Sequence, residues 1–230
     1  MTSPLSLSPE AAIRTELFGA ERQPIVIVDH ALADPAMVVQ IAAQHEFRRI
    51  GPHYPGVRAA VSERVAMALV QPVTAMLEST FGLARSPRFL ECYLSLLTLS
   101  SAELTPIQRF PHFDGVEDSR LAVLLYLDAS EATGTGFYRQ RATGFESVDA
   151  GRFDAYRTSL ESEVAVHGLP DAGYVGGDSA LFERVYRIAG CFNRMVIYRG
   201  NVLHCADIPQ GFTGSDQAGT GRLTLNLFLH

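Results

Sequence analysis

The sequence contains no tryptophan and only three cysteines among its 230 residues. Cys92, Cys191 and Cys205 form no Cys-x-x-Cys pair, which argues against a disulfide framework and against a structural zinc site. Lysine is absent as well, and the 19 arginines are outnumbered by 25 aspartates and glutamates. A chain with this acidic balance is a poor candidate for binding a phosphate backbone, so we expect no nucleic-acid partner.

Long apolar runs are missing as well. The longest ones, such as residues 121–127, are far shorter than the roughly 20 residues that a membrane span needs. The first 24 residues lack the basic stretch followed by an apolar stretch that directs secretion. We therefore expect a cytoplasmic protein without membrane association. Its 47% of apolar residues are enough for a full hydrophobic core.

The pattern along the chain changes twice and predicts a single domain with three parts. Residues 1–24 show little periodicity and are expected to form a loosely docked arm. Residues 25–85 carry helical patterns and are expected to form a helical buttress, whereas residues 86–230 are rich in strand patterns. Period-two alternation and short apolar runs predict strands at 25–28, 89–99, 121–127, 137–139, 193–198 and 222–229. This order favours an antiparallel sheet or barrel supported by helices.

Two helices of the buttress carry recognisable start and stop signals. Asp34 followed by Pro35 is typical of an N-cap and a first helical position. A second helical pattern covers residues 62–81, where Pro72 is expected to kink or split the helix. Gly82 follows it as a C-cap residue.

The first motif with chemical content is Pro111-His112-Phe113-Asp114-Gly115. On an extended segment, residues two positions apart point to the same face, so His112 and Asp114 offer an imidazole and a carboxylate side by side. Alone this pair is weak evidence, since a histidine in a loop often bonds to a neighbouring carboxylate.

Two further motifs follow later in the chain. His204 stands after the predicted strand at 193–198 and a turn. Residues 222–229 alternate cleanly, with leucines on one face and Arg222, Thr224, Asn226 and Phe228 on the other. Such a strand suits a barrel wall whose polar row faces a small cavity, and its arginine binds carboxylates in a fork.

Together these motifs have the composition of a non-haem iron site. Two histidines and one carboxylate form the facial triad of Fe(II) oxygenases, which leaves coordination positions open. A 2-oxo acid can chelate the metal through its keto oxygen and C1 carboxylate, and its distal carboxylate then needs a cation several ångströms away. The order of His112, Asp114, His204 and Arg222 supplies these groups.

The chain resembles the Fe(II)/2-oxoglutarate-dependent oxygenases, and most closely their prolyl-hydroxylase-like branch, over about residues 89–229. The resemblance rests on the metal-binding pair, on Leu124-Leu125-Tyr126-Leu127-Asp128 and Gly134-Thr135-Gly136-Phe137, on His204 and on Arg222. It implies a mainly β fold with flanking helices around a double-stranded β-helix, or jelly-roll, core. Stretches such as 106–114, 138–141 and 198–200 are similar to a bacterial subgroup of uncharacterised function.

The resemblance also implies roles for individual residues. His112, Asp114 and His204 look like the iron ligands, Arg222 like the anchor of the 2-oxoglutarate C5 carboxylate, and Tyr126 like a second contact to that carboxylate. The implied cofactors are Fe(II), 2-oxoglutarate and O₂. The implied reaction is hydroxylation of a C–H bond with release of succinate and CO₂.

The substrate and the alternatives stay open at this point. The substrate is expected to be a small molecule or a peptide, and four arginines that flank the motifs favour an anionic one if they ring the mouth of the barrel: Arg109, Arg139, Arg141 and Arg199. Residues 51–58 and 149–178 are expected to act as lids.

The main alternative is a non-catalytic jelly-roll binding or accessory protein. A cupin-like metalloenzyme is disfavoured, since the chain has no His-x-His pair. The oligomeric state is left open.

Overall fold

The computed structural model describes residues 4–128, 130 and 132–230. None of the helices in these ranges is both long and apolar enough to cross a bilayer. The strands are β1 (Ala12–Phe18), β2 (Gln23–Asp29), β3 (Gly56–Ala60), β4 (Phe89–Leu97), β5 (Leu121–Tyr126), β6 (Gly134–Gln140), β7 (Phe182–Ala189), β8 (Met195–Arg199), β9 (His204–Asp207) and β10 (Leu223–Leu229). The α-helices are α1 (Pro35–Ala42), α2 (Glu63–Ala66), α3 (Thr74–Phe81) and α4 (Phe153–His167).

These strands form two antiparallel sheets. The larger sheet has the order β1-β2-β8-β5-β10-β4-β3, and the smaller sheet has the order β7-β6-β9. An isolated bridge between His112 and His204 adds the segment before β5 to the free side of β9. The two sheets face each other through a shared apolar layer that includes Tyr126 and Tyr198 of the large sheet and Phe137 of the small one.

The path of the chain between the sheets defines the fold. From β4 in the large sheet the chain crosses to the His112 segment in the small sheet and returns to β5. It then forms β6 and β7 in the small sheet, β8 in the large, β9 in the small and β10 in the large. Eight antiparallel segments divided in this way between two facing sheets are a jelly roll. The predicted double-stranded β-helix with flanking helices is therefore confirmed.

Strand β5 shows why the sequence pattern predicted burial on both faces. All six of its residues are buried. Leu121, Val123 and Leu125 belong to the large apolar core that also holds residues of α1 and α3. Ala122 and Leu124 point the other way, into the layer between the sheets. Because both faces are covered, the strand needs apolar residues at every position.

The helix signals in the sequence are also confirmed. The Asp34 carboxylate accepts a hydrogen bond from the amide of Met37 at 2.9 Å, so it caps α1. The predicted helix at 62–81 is split at Pro72 into α2, two short 3₁₀ turns and α3. Gly82 ends α3 with a φ of +59°, a conformation that favours glycine.

The N-terminal region differs from the expected loosely docked arm. Residues 12–18 form β1, which pairs along its length with β2 at the edge of the large sheet. Segment 25–85 likewise contributes strands β2 and β3 besides its helices. The apolar side chains Ile13 and Leu17 of β1 stay exposed, so the hydrophobic pattern gave no sign of burial there. Backbone pairing holds β1 along its length, and Phe18 at its end packs on Phe137 in the layer between the sheets.

A buried carboxylate joins the β1–β2 turn to the small sheet. Glu146 is fully buried and accepts hydrogen bonds from the amides of Ala20 and Glu21 at 2.9 and 3.0 Å. The guanidinium of Arg139, on β6, donates to the same carboxylate at 2.9 Å. Removing Glu146 would therefore leave two amide groups without their acceptor and leave Arg139 with Glu183 as its remaining carboxylate partner.

We expect Glu146→Ala to lower the free energy of unfolding by about 3–5 kcal/mol, because it breaks a buried ion pair from one side. Urea unfolding followed by circular dichroism measures this change. The control is Glu183→Ala, which removes the second and 41% exposed carboxylate partner of Arg139 and should cost less than about 1 kcal/mol. Equal losses in the two variants would contradict a clamping role of Glu146.

Candidate active site

The two histidines of the motifs meet through their backbones. The amide of His112 donates to the carbonyl of His204 at 2.8 Å, and the amide of His204 donates back to the carbonyl of His112 at 2.8 Å. This reciprocal pair places the two residues directly opposite each other. Their imidazole rings lie side by side, with centroids 4.5 Å apart.

Asp114 completes the cluster from the same extended segment. Its amide donates to the carbonyl of Gly200 at 2.7 Å, which fixes the chain two residues after His112. One carboxylate oxygen lies 3.8 Å from Nε2 of His112, and the other lies 3.5 Å from Nε2 of His204. One ligand atom from each of the three residues lies within 4.8 Å of the others. The structure thus brings together the three residues that the sequence predicts as a metal site.

The donor groups fit a divalent metal ion. Nδ1 of His204 lies 2.9 Å from the carbonyl of Val202, so it carries the proton and leaves the lone pair on Nε2, toward Asp114. One oxygen of Asp114, Oδ2, is buried and has no hydrogen-bond partner among the described residues. A cation between these atoms would satisfy both groups, and two imidazoles with one carboxylate are the donor set of non-haem Fe(II).

The surroundings keep the two imidazoles neutral near pH 7. Burial lowers the pKa of His204 to about 4, against a smaller opposing effect of the Val202 carbonyl. His112 keeps 58% of its side chain open to the pocket, yet the pocket walls and the facing His204 lower its pKa too. Burial raises the pKa of Asp114 to about 6, while the charge of His112 opposes that rise. All three groups can therefore ligate a metal at neutral pH.

The cluster lies in a pocket of about 810 Å³ between the sheets. One part of the lining comes from β10 and the residue before it, where Arg222, Thr224, Asn226 and Phe228 face the cavity as the alternation predicted. Other parts come from residues 106–113, from residues 51–55 and from α4, and the last two lie within the segments 51–58 and 149–178 that were expected to act as lids. These segments therefore lie where they could limit the access of water.

Arg222 is a buried cation that forms no ion pair with any carboxylate in the described part of the chain. Arg222 is 5% exposed, and its Nη2 donates a hydrogen bond to the carbonyl of Gly134 at 3.1 Å. Its Nε has no hydrogen-bond partner, and no carboxylate of the described residues lies within ion-pair distance of the guanidinium. A buried charge is costly unless it is paired, so this guanidinium is suited to an anionic ligand.

Tyr126 lies beside this arginine. The guanidinium carbon of Arg222 is 6.0 Å from the centroid of the Tyr126 ring. The tyrosine hydroxyl forms a 2.7 Å hydrogen bond with Thr135 Oγ1, and Thr135 lines the pocket. Tyr126 itself is fully buried. Its hydroxyl is therefore near the arginine, and its role toward a carboxylate stays a prediction.

The four arginines expected around the mouth lie elsewhere. Arg109 donates to the carbonyls of Leu104 and Pro170, and Arg199 donates to that of Phe81. The other two form ion pairs, Arg139 with Glu146 and Glu183, and Arg141 with Asp178. None of the four lines the pocket. Their places next to the motifs in sequence did not reveal which way their side chains point.

Two pocket residues were not singled out from the sequence. Tyr54 and Arg58 line the cavity beside the motif residues. Tyr54 belongs to the segment 51–58 that was expected to be a lid, and its hydroxyl is buried without a partner among the described residues. Arg58 lies on β3. This strand has five residues, too few for the alternation of polar and apolar residues to show which of its faces is buried.

Sequence comparison places the chain in a family. The model of a family of unknown function, DUF6445, matches residues 9–229, so the chain belongs to this family. The sequence-based placement in a subgroup of uncharacterised function is thereby confirmed. A search of curated proteins found no match.

Solved structures similar to this chain include SnoN, HygX and EctD. The non-heme alpha ketoglutarate dependent epimerase SnoN from nogalamycin biosynthesis is 15% identical, with 91% of this chain and 78% of that chain covered and a TM-score of 0.49. HygX from Streptomyces hygroscopicus, with nickel and 2-oxoglutarate bound, is 11% identical, with 91% and 83% covered and a TM-score of 0.48. EctD from S. alaskensis, with 2-oxoglutarate and 5-hydroxyectoine, is 12% identical, with 97% and 84% covered and a TM-score of 0.44.

We expect Asp114→Asn to weaken binding of Mn²⁺ by about 100-fold or more, because an amide lacks the charge of the ligating carboxylate. Isothermal titration calorimetry on anaerobic protein measures the dissociation constant. Glu117→Gln is the matched control, since this exposed carboxylate lies three positions away and pairs with Arg120. Unchanged metal affinity in Asp114→Asn would remove this residue from the site.

Metal affinity should also depend on pH in a defined direction. The pKa of Asp114 is raised to about 6, so protons compete with the metal for the carboxylate as the pH falls through that value. We expect the apparent affinity for Mn²⁺ to fall about tenfold per pH unit between pH 6 and 4, and more steeply below, where the imidazoles also protonate. The same titration at several pH values tests this, and affinity independent of pH over that range would contradict it.

Proposed function

We propose that this chain is an Fe(II)- and 2-oxoglutarate-dependent oxygenase that hydroxylates a C–H bond of its substrate. One observation carries the proposal: a His-Asp-His cluster and an unpaired, buried arginine line the same pocket inside a jelly roll. Either feature alone has ordinary structural explanations. Together they provide a site for a divalent metal and a site for the distal charge of an oxo diacid.

The metal site would be held by His112, Asp114 and His204. One ligand atom from each residue lies within 4.8 Å of the others, and 58% of the His112 side chain is exposed. Asp114 brings a single negative charge, so a divalent ion bound here keeps a net positive charge and attracts an anionic cosubstrate. Since a halogenase of this type needs the carboxylate position empty, the presence of Asp114 favours hydroxylation.

Arg222 would hold the C5 carboxylate of 2-oxoglutarate. Its planar fork can donate two parallel hydrogen bonds, and its contact with Gly134 fixes its orientation. The ring of Tyr126 lies 6.0 Å from the guanidinium carbon of Arg222, so its hydroxyl is a candidate to share that carboxylate. When bound, Fe(II), 2-oxoglutarate and O₂ supply the oxidising chemistry and leave succinate and CO₂.

The rest of the chain would position the substrate and exclude water. Helix α4 contributes Tyr156, Leu160 and Val164 to the pocket wall, and the segment before β3 contributes Pro52 and Tyr54. An apolar enclosure of this kind strengthens the electrostatic interactions within it. We propose a small molecule or a peptide as the substrate.

We expect Arg222→Met to raise the dissociation constant of 2-oxoglutarate, measured with Mn²⁺ in the absence of oxygen, by about 30-fold or more. The physical reason is the loss of a buried, charge-assisted pair, for which about 2–5 kcal/mol is usual. Arg141→Met, which removes an exposed guanidinium outside the pocket, is the control and should leave binding unchanged. An Arg222→Met variant that binds 2-oxoglutarate like the wild type would remove this residue from the cosubstrate site.

Succinate formation under Fe(II) and air separates the proposal from its main alternative. An oxygenase releases succinate from 2-oxoglutarate slowly even without substrate, and the release requires Asp114. A non-catalytic binding protein binds metal and 2-oxoglutarate without forming succinate. Wild-type protein that binds both ligands and forms none would favour this alternative.

A further inference from the structure

A second arginine faces the pocket from the edge of the large sheet. Arg58 lies on β3 opposite Ser95 of β4, and Ser95 in turn lies opposite Thr224 of β10. Residues opposite each other on adjacent strands share a face of the sheet. Arg58 is therefore in the same row as Thr224, on the face that lines the cavity.

Two tyrosines hold the Arg58 side chain in place. Its guanidinium carbon lies 4.0 Å from the ring centroid of Tyr54 and 5.1 Å from that of Tyr93. Stacking on aromatic faces fixes the plane of a guanidinium and leaves its N–H groups, which lie in that plane, free to donate. The arrangement therefore presents a rigid, planar set of donors.

These donors lack a partner in the described part of the chain. No carboxylate there lies within 4.0 Å of the Arg58 nitrogens, and Nε is buried without a hydrogen bond. The nearby Glu91 accepts instead from the hydroxyl of Tyr93 at 2.8 Å. Arg48, whose backbone pairs with that of Arg58, behaves differently, since it is exposed and pairs with Glu46. An unpaired guanidinium fixed in a pocket is suited to an anion from outside.

The contacts of Arg58 differ from those of Arg222. Arg58 lies on the edge strand β3, with its guanidinium carbon 4.0 Å from the centroid of the Tyr54 ring. Arg222 instead donates to the carbonyl of Gly134 on β6, and its guanidinium carbon lies 6.0 Å from the centroid of the Tyr126 ring. The pocket thus offers one cation for each of two different anionic groups.

The remaining lining is largely apolar. Six side chains of this kind border the cavity on the side of the 3₁₀ turn before His112 and of α4: Ile107, Phe110, Phe113, Leu160, Val164 and Leu169. Pockets of this composition fix an apolar body by burial and its orientation by a few polar groups. Glu161 of α4 also lines the cavity but forms an ion pair with Arg157 at 3.2 Å. Arg58 is therefore the cation available to bind an anionic group beside this apolar wall.

We propose that Arg58, stacked between Tyr54 and Tyr93, binds the carboxylate of the primary substrate, and that this substrate is an apolar carboxylic acid. The inference rests on the proposed oxygenase function, since it assigns Arg222 to 2-oxoglutarate and leaves Arg58 for the substrate. Arg58 then determines specificity by orienting the apolar body toward the metal cluster.

The experiment measures binding of two probe acids, octanoate and 4-phenylbutyrate, and of their neutral amides, to protein loaded with Mn²⁺ without oxygen. We expect the acids to bind the wild type and Arg222→Met alike, and to bind Arg58→Met about tenfold or more weakly, because a charge-assisted pair is lost. The amides should bind all variants weakly. Methionine fills the space between the two tyrosine rings, and thermal melting checks that the variant is folded. Arg48→Met is the matched control on the paired strand.

A parallel titration with 2-oxoglutarate keeps the two proposals distinguishable. If 2-oxoglutarate binds Arg58→Met like the wild type and fails to bind Arg222→Met, both assignments hold. If the wild type binds no 2-oxoglutarate while the probe acids still need Arg58, the oxygenase proposal fails and the acid site stands. If 2-oxoglutarate binding depends on Arg58 as strongly as on Arg222, Arg58 belongs to the cosubstrate site and the inference is overturned. It is also overturned if neither acid binds the wild type, or if the amides bind as well as the acids.

Discussion

The candidate site depends on one pair of backbone hydrogen bonds. His112 and His204 exchange amide-to-carbonyl bonds of 2.8 Å, and this bridge joins the chain before β5 to the start of β9. Without it, two histidines far apart in sequence would have no reason to share a metal. Asp114 lies two residues after His112 on the same extended segment, so the two side chains point to the same side of that segment. The hydrogen bond from the amide of Asp114 to the carbonyl of Gly200 holds the segment in place.

The electrostatics of the pocket run against those of the chain as a whole. The formal net charge is −6, yet two arginines without acidic partners among the described residues face the cavity. Arg222 is 5% exposed and has no described carboxylate within ion-pair distance, although Asp128 is near enough for the two charges to interact. Burying a charge without a close partner is costly. A divalent ion on the triad and anionic ligands on the arginines would balance the charges within the pocket. The pocket is therefore best understood as a binding site whose polar groups are completed by its ligands.

Sequence patterns predicted the site better than its surroundings, for a physical reason. The three residues of the candidate metal site lie on β9 and on the extended segment that bridges to it, so His112, Asp114 and His204 could be chosen from spacing and motif. Arg58 was missed because β3 is short and its direction depends on pairing with β4, which no local pattern encodes. The arm at 1–24 was mistaken for the same reason, since β1 is held by pairing with β2 and by Glu146 from a distant part of the chain.

The long segment between β9 and β10 is fixed against the end of β4. Residues 208–222 separate the two strands. The amide of Ser215 donates to the carbonyl of Leu97 at 3.1 Å, at the end of β4. Gly214, with a φ of +75°, approaches Thr98 so closely that a Cβ would lie 2.3 Å from its carbonyl oxygen. Because Leu223 then pairs with Leu96, the loop returns the chain to the edge of the pocket exactly one residue after Arg222. The spacing between histidine and arginine can therefore lengthen without moving the guanidinium, since the strand pairing sets its position and the loop only closes the path.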